Sequence, residues 1–113
     1  MDGLVVESAS PQAWTILSKG AFAFLTIPDT AAVDAMQQAA GGVEGDLRLV
    51  IGDTGIAGWA GFLAVTSDKD LCRQLDLDTN SRVVIIATEG ATDPKVYENI
   101  VGTSPDRIDI KRI

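Results

Sequence analysis

Two short polar loops hold the residues of this chain best suited to chemistry. One is Thr88-Glu89-Gly90-Ala91-Thr92, between the β-branched run Val83-Val84-Ile85-Ile86 and the pair Asp93-Pro94. The other is Gly52-Asp53-Thr54, followed at intervals of three by Gly55, Gly58 and Gly61. Each stands between a strand-like run and a helical one. Hydroxyls and carboxylates beside the free N–H groups of a helix N-terminus are groups that hold a small anionic or amino-acid ligand. Asp53, Thr54, Gly55, Thr88, Glu89 and Thr92 are therefore the candidate site residues. Each also has a plainer reading. Asp53 and Thr54 suit a helix cap, and Thr88, Glu89 and Thr92 suit a loop. The glycines suit a helix packed closely on its neighbours, since each costs about 1 kcal/mol in a helix relative to Ala.

Several chemistries are excluded. The chain has no His, so neither a Ser-His-Asp nor a Cys-His arrangement can form within it, and a zinc site is disfavoured. The single Cys72 has no base in view and reads as packing. It precludes an internal disulfide and fits a reducing cytoplasm. Net charge is −7 with no basic cluster, which argues against nucleic acid or an anionic membrane as partner. The longest apolar run, residues 55–65, is too short to span a bilayer. Met1-Asp2-Gly3 lacks the basic start of a secretion signal.

The elements that must position the loops follow from periodicity and punctuation. Short apolar runs at 4–6, 21–27, 47–51 and 83–87 read as strands. Ser10-Pro11, Pro28-Asp29 and Asp93-Pro94 are helix starts, and Gly20, Gly41-Gly42 and Gly102 are stops. Helices are expected over 11–19, from 29 to about 40, over 55–67, 68–75 and 94–101. Trp14 and Leu17 are expected to face the core, and a weak alternation at Ile108 and Ile110 suggests an edge strand. This order predicts one three-layer α/β/α domain around a mostly parallel sheet of about four strands. Val50, Ile51, Val84 and Ile86 should be buried, and both loops should lie beyond the carboxyl ends of strands. The 113 residues suffice for one such domain.

Both loops also carry a resemblance. Gly52-Asp53-Thr54-Gly55-Ile56-Ala57-Gly58 resembles the Gly-Glu-Ser-Gly-Ala-x-Gly element of diaminopropionate ammonia-lyases. Ala87-Thr88-Glu89-Gly90-Ala91-Thr92-Asp93-Pro94 resembles their Ser-Thr-Glu-Gly-Asp-Thr-Asp-Pro element. Ser10-Pro11-Gln12-Ala13-Trp14-Thr15-Ile16-Leu17 and Phe24-Leu25-Thr26-Ile27-Pro28-Asp29 are similar to theirs too, in the same order. The likeness runs over about residues 4–102 and matches the family's C-terminal part. It implies a fold of the tryptophan-synthase-β type and a pyridoxal phosphate cofactor. The implied activity is α,β-elimination of 2,3-diaminopropionate to pyruvate and ammonia.

The resemblance assigns Ala87 the position of a Ser whose hydroxyl meets the pyridine nitrogen of the cofactor, and here that hydroxyl is gone. The family's cofactor-anchoring Lys and glycine-rich phosphate loop lie upstream of the matched part. Lys19, Lys69, Lys95 and Lys111 stand in other contexts. Gly41-Gly42-Val43-Glu44-Gly45 is a poor phosphate cradle because Glu44 repels the anion.

The expectation is a C-terminal lyase part, present as a separate cytoplasmic polypeptide. It is not expected to hold pyridoxal phosphate or to catalyse by itself. It is expected to associate, either as a homo-oligomer through Trp14, Trp59, Phe22 or Phe62, or with a partner chain carrying the missing N-terminal part. The alternative is a non-catalytic small-ligand-binding or assembly module.

Overall fold

A computed structural model describes residues 2–43 and 46–108. Five helices organise it: α1 (Pro11–Gly20), α2 (Asp29–Gly41), α3 (Ala57–Thr66), α4 (Lys69–Gln74) and α5 (Pro94–Val101). Single 3-10 turns lie at Asp2–Leu4 and Pro105–Arg107.

The starts form for local reasons. Ser10 Oγ accepts from Ala13 N–H at 3.4 Å. Asp68 Oδ1 accepts from Asp70 and Leu71 N–H, and Asp93 Oδ1 from Lys95 and Val96 N–H. These oxygens satisfy amides that the first turn of a helix leaves without a partner. At the far end of α5, Gly102 adopts φ 82°, a left-handed stop that glycine takes without strain.

The core is small and built on α2. Ala32, Ala35, Met36 and Ala40 pack with Ile56, Ala60 and Tyr97, and Val50 and Ile51 lie against them half-buried. Helix α2 packs on α3 and α5, and α4 on α3. Gln37 Nε2 donates to the Ile100 carbonyl at 2.8 Å and ties α2 to α5. Helix α1 packs on none of the other helices and buries no residue, so Trp14 and Leu17 are exposed rather than core-facing.

The expected α/β/α sheet is absent: no strand occurs among the described residues. Residues 4–6 fall on the first 3-10 turn and beyond it, with Val5 and Val6 exposed. The runs at 21–28, 47–52 and 81–91 are neither helix nor strand. Their pattern is nevertheless strand-like. Ile85 is half-buried, while Val84 and Ile86 on either side of it point out at 88% and 77% exposure. Such alternation is what an extended run displays.

Pairing is what is missing. Among the described residues, the one backbone bond between these runs is Gly52 N–H to the Glu89 carbonyl at 3.1 Å. Periodicity reports which way side chains point, whereas a strand exists only when a neighbouring backbone accepts and donates. The burial expected of Val84 and Ile86 fails for the same reason, because no layer covers them. Ile110, expected in an edge strand, lies outside the described residues, as do Glu44 and Lys111.

Candidate functional site

The two polar loops meet backbone to backbone. Beyond the Gly52–Glu89 bond, a Cβ at Gly55 would stand 2.9 Å from Glu89 N, and one at Gly52 would overlap the Gly90 carbonyl. Both glycines are thus required by a close approach of two backbones. Four residues after Gly52, Ile56 N–H donates to the Gly52 carbonyl at 2.9 Å and leads into α3. The glycine spacing therefore has its plainer cause here: the Glu89–Gly90 backbone fills the room the glycines leave. Further along, Gly58 faces Ile85 and Gly61 faces Leu25.

Side chains close the junction. Thr92 Oγ1 donates to Glu89 Oε1 at 2.6 Å, and Thr92 N–H to the Gly90 carbonyl at 2.9 Å. The other carboxylate oxygen, Glu89 Oε2, is buried and has no hydrogen-bond partner among the described residues. The half-buried Asp53 accepts from Thr54 N–H at 3.0 Å through Oδ1. Gly52, Asp53, Gly90, Thr92 and Tyr97 line a crevice of about 30 Å³, room for about one water.

The structure thus brings Asp53, Gly55, Glu89 and Thr92 to one junction. It does not bring the rest there. The Thr54 side chain abuts Gly3. Thr88 is exposed. Ala87 borders a separate, largely apolar cavity of about 420 Å³ with Leu47, Leu49, Ile51, Trp59 and Ile85.

Tyr97 was not among the sequence candidates. It is 2% exposed and its hydroxyl has no partner among the described residues. Burial pushes its phenol above the ordinary value of 10.0, because the charged form is poorly solvated there. A lone polar tip on the apolar stripe of α5 is the signal that marks it.

The residues present do not fit a pyridoxal phosphate. Neither the 30 Å³ crevice nor the cavity beside Ala87 is lined by a Lys or Arg. The first carries carboxylates at Asp53 and Asp93, the second one at Asp46, and carboxylates repel a phosphate. Among the described residues, no group of three or more His, Cys, Asp or Glu could hold a metal ion, and no helix is long and apolar enough to cross a membrane.

Comparison with known proteins sets this geometry in context. No family model matches the chain, and no solved structure does. The diaminopropionate ammonia-lyase of Escherichia coli (strain K12) is 31% identical over 104 residues. That of Salmonella typhimurium (strain LT2) is 30% identical over 105 residues. In both, the match takes in 89% of this chain and 26% of the relative, so the chain spans about a quarter of the length of these enzymes. A match of that extent necessarily includes both loops of the junction. The matched quarter lies at the far end of those enzymes, and this chain is accordingly a sequence relative of the C-terminal part of the diaminopropionate ammonia-lyases.

Proposed function

We infer that this chain serves as the C-terminal part of a diaminopropionate ammonia-lyase-like protein and performs no elimination by itself. The observation that carries the reading is the match over 89% of the chain to lyases of which it spans only 26%. The site chemistry supports it. Elimination needs a base positioned to take a proton and a group to accept the electrons. The junction offers carboxylates in a crevice too small for an amino-acid substrate, and no lysine lines it. In this reading Gly52, Gly55, Glu89 and Thr92 are framework residues. They set where the loop after residue 87 runs.

A second reading, an assembly module without catalysis, is favoured by one observation: many large apolar side chains, Phe22, Phe24, Val84 and Ile86 among them, are exposed. Both readings place the chain's role in contacts with further protein.

The test is to incubate the purified chain with pyridoxal phosphate, reduce with borohydride and map modified lysines by mass spectrometry. Pyruvate is then assayed after adding 2,3-diaminopropionate. The expected result is scattered, substoichiometric labelling and no pyruvate. Stoichiometric labelling of a single lysine together with pyruvate release would overturn the reading.

A further inference from the structure

We propose that helix α1 pairs with α1 of a second copy of this chain, antiparallel about a two-fold axis, through the stripe Ala13, Trp14, Ile16 and Leu17. The pairing rests on the surface of this chain alone and goes beyond either reading of its role.

The helix itself is the first support. Its apolar residues stand three or four positions apart and share one side, while Gln12, Thr15, Ser18 and Lys19 take the other. Such a stripe belongs to a helix that lies against something. Among the described residues no other helix packs on α1, and none of its own residues is buried. Trp14 is 52% exposed and Ile16 72%. Helix α1 has 10 residues, whereas an isolated helix shorter than about 12–15 residues is marginal in water. Packing on the stripe must supply the difference.

Charge is the second support, and it selects the occupant. Two copies at −7 each repel as wholes, but this face escapes that repulsion. Lys19 is the only charged residue between Glu7 and Asp29. Two copies therefore meet here without bringing acid against acid. Glu7 precedes the helix and Lys19 lies in its last turn. An antiparallel pair turns each Lys19 toward the Glu7 end of the other copy, and sets each helix N-terminus beside a C-terminus. A parallel pair would set Lys19 against Lys19.

Area is the third. The chain exposes 8714 Å², against about 6000 Å² for a folded monomer of 11.9 kDa. A stable interface takes about 800 Å² from each partner, well within the excess of roughly 2700 Å². A two-fold contact uses the same face on both copies and closes at two.

The experiment is sedimentation velocity on the purified chain over a wide range of concentration. The mass should rise to twice 11.9 kDa. Leu17→Glu places a charge in the stripe and should leave a monomer with its core intact, since α1 packs on none of the core helices. Ser18→Glu adds the same charge one residue on, on the polar side, and should remain a dimer. Lys19→Glu sets carboxylates together at both ends of the pair and should raise the dissociation constant about tenfold. Combining it with Glu7→Lys should restore the original value.

A chain that is monomeric at every concentration assigns the face to protein beyond this chain and overturns the proposal. So does a dimer that survives Leu17→Glu, because its contact runs through another patch, or an assembly that grows past two copies. Should Leu17→Glu fail to fold, the charge exchange still decides, and its failure to restore pairing removes the antiparallel contact. The lyase-part reading fails separately, by pyruvate release from the chain alone.

Discussion

At the residue scale, Gly55 and Gly61 sit in one glycine series and respond to substitution with opposite sign. A methyl at Gly55 meets the Glu89 backbone, which cannot step aside as a side-chain tip would. Gly55→Ala should cost about 1–3 kcal/mol, the usual range for overpacking, read as a lower urea midpoint. A methyl at Gly61 meets only Leu25 Cδ1 at 3.8 Å, inside α3. Gly61→Ala should gain about 0.5–1 kcal/mol from the smaller entropy of the unfolded chain. Tyr97 gives a pH prediction. Its folded phenol titrates above the ordinary 10.0. The protonated form therefore contributes its full stability below pH 10, and that contribution is lost as pH rises through the raised folded value. Urea melts across this alkaline range should show the loss in the natural chain and a flatter profile in Tyr97→Phe. Near pH 7 the Phe variant should be no less stable, since the hydroxyl it removes has no partner among the described residues. The spacing of the glycines was visible in the sequence. Which of them touches backbone and which touches a side chain was not, because that depends on a loop 34 to 38 residues further along the chain.

Helices were the elements most fully legible, and the reason is local. Ser10-Pro11, Asp68 and Asp93-Pro94 each place a capping oxygen within three residues of the amides it serves. Asp93→Ala should accordingly destabilise the fold by about 1 kcal/mol, as loss of an N-cap does. Asp93→Asn, which keeps an acceptor oxygen, should recover most of that in thermal melts, and equal losses in the two variants would refute a capping role. Boundaries shifted where tertiary contact intervened. Helix α3 begins at Ala57 rather than at Gly55, because residues 52–55 are committed to the junction with the Glu89 loop. The strand-like runs were legible only as short apolar, β-branched stretches. Val84 and Ile86 have side chains suited to a sheet interior, yet their pairing depends on backbone from elsewhere, about which the run itself carries no information.

For the whole molecule, core and surface are out of proportion. The radius of gyration is 15.3 Å, against about 13 Å for a packed domain of this length. Few apolar side chains are fully buried, while Phe22, Phe24, Val84 and Ile86 are exposed. The chain should bind a hydrophobic dye such as 8-anilinonaphthalene-1-sulfonate and melt over a broad range. A sharp two-state melt without dye binding would show that the exposed surface is covered in some other way. By itself the sequence determined the caps at Ser10 and Asp93, the stops at Gly42 and Gly102, the exclusion of histidine-dependent chemistry and the relation to the C-terminal part of the lyases, whereas Asp29 and Asp53-Thr54 do not cap α2 and α3. All of these rest on residues near one another in the chain or on its composition. Only the tertiary structure decided that the two loops lock together at Gly52, Gly55 and Glu89, that Ala87 and Thr88 stand apart from that junction, and that the apolar runs remain unpaired. Those outcomes depend on contacts between distant segments, and a sheet in particular requires neighbouring backbones that no single run can specify.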